Sequence, residues 1–125
     1  MTNQGYKNLE VWRKAMAVVK AVYVMTQKFP KEELYGLTNQ MRRAAVSVPS
    51  NIAEGKSRFS NKEFARFLLI ARGSVAELET QVLISQDLSY APTEQIETLL
   101  QDIAEVGRML SGLVSSLNKD LSLAS

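Results

Sequence analysis

The sequence predicts an all-α protein, an antiparallel up-down-up-down four-helix bundle, and three observations carry that prediction. Apolar residues recur at spacings of three and four along four long segments, the signature of one buried helix face. No segment alternates apolar and polar residues as a half-buried strand would. The joints, marked by Pro30, Gly55 and Ala91-Pro92, are only about three to six residues long, and such short connections between long helices force sequential neighbours to lie antiparallel. With 125 residues, 46% of them hydrophobic, the chain is long enough for one core and is expected to form a single domain, 1–125.

The first helix is expected over 9–29, ending at Pro30, which offers no backbone donor. It carries two apolar seams. One holds Leu9, Trp12, Met16, Val19 and Tyr23, the other Val11, Ala15, Val18, Val22, Met25 and Phe29. At about 100° per residue they span near half the circumference, more than one bundle core needs. The second seam, Val11, Ala15, Val18, Val22 and Met25, is therefore expected to face another copy of the chain.

The second helix is expected over 35–54, with Leu37, Met41, Ala45, Val48 and Ile52 as its buried stripe and Gly55 as a left-handed cap. Pro49 lies inside it and predicts a bend. The third helix, 61–88, has the clearest start. Ser60 and Glu63 have capping-box spacing, while Phe59 and Phe64 stand where a hydrophobic staple belongs. Its stripe runs through Phe64, Phe67, Leu68, Ala71, Val75, Leu78, Val82 and Ser85. Gly73-Ser74 within it suggests a close helix contact. The fourth helix, 94–121, follows Ala91-Pro92 with Thr93 as its cap and a stripe from Ile96 to Leu121.

The chain has no histidine and no cysteine. That removes the two commonest metal ligands, the usual general base and the thiol nucleophile, so neither a metal, a cofactor nor catalysis is expected. Glu77 and Glu79 are two residues apart and point to different sides of a helix, unlike a catalytic carboxylate pair. No phosphate-binding glycine loop or nucleophile elbow is present. Cysteine-free composition fits a reducing cytoplasm, the start of the chain lacks a signal-peptide pattern, and the apolar stretch from Ala15 to Met25 is broken by Lys20. A soluble cytoplasmic protein without membrane contact is the expectation.

Charge is distributed unevenly. Between Arg42 and Arg72 seven basic residues face only Glu54 and Glu63, whereas from Gly73 to Glu105 there are seven acids and no basic residue. In an antiparallel bundle this puts Lys56, Arg58, Lys62 and Arg66 at one end, and Asp87, Glu94 and Glu97 at the other, diluted by Lys28 and Lys31. Helix two also has an ordered polar face of Arg43, Ser47, Ser50, Asn51 and Glu54. Cationic donors beside small hydroxyls and amides suit phosphates. The competing reading is a solvated face, or a polar network closing a subunit interface.

The run from Phe29 to Leu37, the segment QMRRAAVSVPSNIAEG from Gln40 to Gly55, and then Phe64, Arg66, Phe67, Ala71, Gly73-Ser74 and Glu77-Leu78-Glu79 closely resemble one family. Tyr6, Leu9, Val11-Trp12 and the stretch Glu105 to Leu110 extend the likeness over nearly the whole chain. The family is that of bacterial four-helix-bundle proteins encoded within intervening sequences of large-subunit ribosomal RNA genes. It is similar in fold to the accessory variability determinant of diversity-generating retroelements, a basic protein that forms a five-membered ring and binds nucleic acid and a reverse transcriptase. The resemblance implies a homo-oligomer, a pentamer, that binds RNA or DNA, with Arg42, Arg43, Asn51, Lys56 and Arg58 as contacts; Lys62 and Arg66 join them by charge. Two alternatives stand beside it: a retroelement accessory subunit whose partner is a reverse transcriptase, and a structural assembly protein with no nucleic-acid role. The acidic 73–105 segment departs from a uniformly basic accessory protein.

Overall fold

The computed structural model describes residues 5–124, with side chains as far as Leu121. After a short 3-10 turn, Gly5–Asn8, come four helices: α1 (Glu10–Thr26), α2 (Leu37–Lys56), α3 (Asn61–Asp87) and α4 (Thr93–Ala124). Each helix packs on its neighbours in the order α1, α2, α3, α4 and back to α1, with the diagonal pairs' backbones held apart across the core. The result is the expected antiparallel up-down-up-down bundle. No described helix is long and apolar enough to cross a membrane.

The buried stripes follow the sequence periodicity on α2, α3 and α4, with Met41, Ile52, Leu68, Leu78, Ile96, Ile103 and Leu110 among the fully enclosed side chains. Near the end of α4 the buried position is Val114, and Leu113 lies at the margin. On α1 the two seams exchange roles. Val11, Ala15, Val18, Val22 and Met25, expected to meet another copy, are 0–5% exposed inside this chain's own core. The inner seam, mostly valine and alanine, lets α1 settle closely against α2 and α4, while Trp12, Met16, Val19 and Tyr23 lie at the margin or in solvent. The seam that reaches solvent is therefore the other one.

The helix joints differ in detail from the expected ones. α1 stops at Thr26, whose buried hydroxyl donates back to the Val22 carbonyl at 2.8 Å, and Phe29 is buried beyond it against the Tyr90 ring. Glu33 then ties two joints together. Its carboxylate accepts the Leu37 backbone N–H at 3.1 Å, capping α2 from outside, and the Tyr90 hydroxyl at 2.8 Å. The Tyr90 hydrogen bond first, and the Leu37 amide second, hold its carboxyl below the usual carboxylate range, while the same bond raises the Tyr90 phenol.

α2 continues as one helix through Pro49, which is buried, and past Gly55, which is an interior residue without positive φ. Gly55 is required for closeness instead of capping. A Cβ there would lie 2.6 Å from the Cβ of Phe67 and 3.2 Å from Cδ1 of Phe64. Gly73 has the opposite environment, with nothing within 4 Å of such a Cβ, so no close contact inside this chain needs it. Its neighbour Ser74 makes the contact, sharing a 2.8 Å hydrogen bond with Ser47 of α2.

Candidate nucleic-acid interface

The close approach of α2 to α3 at Gly55 shapes the turn that follows. Ser57 ends α2, and Ser60, in extended conformation, caps α3 by accepting the Glu63 amide N–H at 3.2 Å. Only this half of the capping box forms, because the Glu63 carboxylate turns to Arg66 and binds its guanidinium through two hydrogen bonds of 3.0 and 3.1 Å. That Arg66 bond holds the Glu63 carboxyl low, with Arg58 and Lys62 adding to the effect, and it raises the Arg66 guanidinium.

Four cations converge on this end of the bundle. Arg58 bonds Glu54 at 3.0 Å, and its guanidinium lies 5.2 Å from the centre of the Phe67 ring, with that of Arg66 4.5 Å from the same centre. Lys56 lies 5.4 Å from the centre of the Phe64 ring. Lys62 is exposed and has no carboxylate within ion-pairing distance among the described residues. Aromatic faces thus hold three of the cations at the surface, with two carboxylates neutralising part of the charge.

Phe59 is the residue that sequence reasoning misplaced. It takes a left-handed conformation, φ 56°, and stands 85% exposed, so the Phe59–Phe64 staple does not form. With only four residues between Lys56 and Asn61 the chain must reverse direction sharply, and the left-handed residue turns its ring outward. A phenyl ring in solvent beside exposed cations can stack on a planar ring while the cations attract anions. The spacing of Lys56, Arg58, Phe59 and Lys62 was the available signal.

The polar face of α2 divides by role. Arg42 turns towards α1, donating from Nε to Thr26 at 2.9 Å, with its guanidinium over the Tyr23 ring. Asn51 donates to the Ser47 carbonyl and hydroxyl, and the Ser47–Ser74 bond carries the chain of contacts to α3. Ser47 and Asn51 therefore form a polar network, one that joins two helices of a single chain. Arg43 alone of this group is an exposed cation, about 20 Å from Lys56 along the helix at 1.5 Å per residue.

Together, these features define a small four-helix-bundle protein with a cationic, aromatic-bearing end; the described residues include no group of three or more acids placed to hold a metal. The chain belongs to the 23S rRNA-intervening sequence protein family, whose sequence profile matches residues 7–112. Its fold is similar to a crystal structure from Bacteroides thetaiotaomicron VPI-5482, a protein of unknown function from the S23 ribosomal protein family. The two agree with a TM-score of 0.75 at 23% identity, over 83% of this chain and 97% of the other. A search of curated proteins found no match.

Proposed function

We propose that the chain is a non-catalytic, homo-oligomeric nucleic-acid-binding protein that holds its ligand at the α2–α3 turn. The observation that carries this reading is Phe59, 85% exposed in a left-handed conformation amid Lys56, Arg58, Lys62 and Arg66. The left-handed backbone closes the short turn, while the exposed ring adds nothing to the chain's own core. A stacked base would cover the ring, while the surrounding cations take up phosphates. Membership of a family named for intervening sequences of 23S rRNA favours RNA as the nucleic acid.

The test compares a short single-stranded RNA with a duplex of the same length by fluorescence anisotropy. Phe59→Ala is expected to weaken single-strand binding about tenfold, the worth of one base–aromatic stack, and to leave the duplex little changed. Equal loss on both ligands, or none, would remove the stacking role. Binding of neither RNA nor DNA by the wild type would favour a protein partner, such as a reverse transcriptase, or a purely structural role.

Self-association rests on a different surface. Leu69, Gly73, Ala76, Thr80 and Leu83 recur at spacings of four and three along the outer side of α3, flanked by Ile70 and Ile84; the four large residues are 42–43% exposed. This is a coiled-coil seam with small residues at its middle. On the diagonally opposite helix α1, Met16, Tyr23 and Val24 are 40–49% exposed. Two unlike apolar faces suit head-to-tail association, which closes into a ring when the rotation permits; a ring of five is the assembly the family resemblance implies. Leu83→Glu is expected to reduce the solution mass, measured by light scattering, from a multiple of 13.9 kDa to that of one chain. An unchanged mass would move the interface off α3.

A further inference from the structure

At the end of the bundle away from the basic turn, α2 and α3 enclose a cleft of about 420 Å³. Asn39, Gln40 and Arg43 form its α2 wall, Glu77 and Gln81 its α3 wall, and Tyr35 stands at its mouth. Asn39 and Arg43 are one helical turn apart, as are Glu77 and Gln81, so the side chains of each pair project into the same space. Three features of this cleft are unexplained by the fold. Gln81 is only 6% exposed, yet its Oε1 has no hydrogen-bond partner. Arg43 is exposed and has no carboxylate within ion-pairing distance among the described residues. Tyr35 leaves 91% of its surface in solvent.

We propose that this cleft receives an unpaired guanine of a bound RNA strand. The chemistry of the walls selects the base. An ionised carboxylate only accepts hydrogen bonds, so the edge that meets Glu77 must carry donors. Guanine places two donors side by side, N1–H and the N2 amino group, matching the two oxygens of one carboxylate. Uracil's single N3–H is flanked by two carbonyl oxygens that a carboxylate repels, and the amino groups of adenine and cytosine each adjoin an acceptor nitrogen. Gln81 supplies what remains. Its Oε1 is buried away from solvent, so the terminal amino group is the end of the amide that can face the cleft, and it presents a donor to guanine O6. The Tyr35 ring is free to stack on the base, and Arg43 at the rim takes the adjoining phosphate at a distance from Glu77.

This inference rests on the reading of the chain as an RNA-binding protein, and its test separates the two. Fluorescent hairpin RNAs that differ only in one bulged nucleotide, guanine, adenine, uracil or none, are titrated with the wild type, Glu77→Gln, Gln81→Leu and Tyr35→Ala. The wild type is expected to bind the bulged-guanine hairpin about tenfold more tightly than the others, the discrimination a good bidentate base contact provides. Each variant is expected to lose that preference while binding the unbulged hairpin as the wild type does, which also shows that it is folded. Equal wild-type affinity for all four hairpins, alongside salt-sensitive binding, overturns the guanine site and leaves RNA binding at the basic turn intact. Preference that persists in all three variants overturns it as well. Failure to bind any hairpin overturns the RNA reading itself.

Discussion

Gly55→Val is expected to destabilise the bundle by about 3 kcal/mol, the upper part of the range for overpacking a close contact. The atom met at 2.6 Å is the Cβ of Phe67, which is fixed to the α3 backbone and cannot swing aside, and the Cα of Phe64 follows at 3.4 Å. α3 would have to withdraw from α2 along the segment that carries Phe64, Phe67 and the ring-stacked cations. The same substitution is therefore expected to weaken nucleic-acid binding. Gly112→Ala is the control, since a Cβ there meets nothing within 4 Å and alanine's helix propensity should add about 0.5–1 kcal/mol. Urea denaturation of the three proteins checks both signs. A Gly55→Val variant as stable as the wild type would mean that the α2–α3 approach is looser than described.

The second large effect concerns Arg43, Lys56 and Lys62, three exposed α2–α3 cations with no carboxylate within ion-pairing distance among the described residues. Arg58 and Arg66 are partly neutralised by Glu54 and Glu63, so they release fewer counterions on meeting phosphate. For single strands the salt dependence falls by about 0.7 per phosphate contact removed. The triple variant Arg43→Ala/Lys56→Ala/Lys62→Ala should therefore flatten the slope of log K against log salt by about 2, and lose roughly 50-fold in affinity near 0.15 M salt. An unchanged slope would place the phosphates elsewhere. All three side chains are exposed, so thermal stability should change little.

Much of this architecture is legible in the residues themselves. Three-and-four spacing located every helix, and Ser60 marked the start of α3, because these signals are local to one segment. The failures are all tertiary. On α1 two seams are comparably apolar, and only the positions of α2 and α4 decide that the small Val11, Ala15 and Val18 go inside. Gly55 at a helix end resembles a cap until Phe67 is seen against it. Phe59 next to Ser60 resembles a staple until the length of the turn sends it outward. The site followed the same pattern. The basic end was predictable from charge order, whereas the inward turn of Arg42 depends on Thr26 and Tyr23, sixteen and nineteen residues earlier in the chain. Gln81 and Tyr35 gave no linear signal, since their cleft exists only once α2 and α3 are side by side.

The most direct measurement of the central claim is wild-type affinity for a short single-stranded RNA across a salt series, with oligomeric mass followed in parallel. Log K is expected to fall linearly with log salt, with a slope reporting several phosphate contacts, while the mass stays constant. No binding near physiological salt, or binding indifferent to salt, would contradict it and leave the α2–α3 turn without a nucleic-acid role.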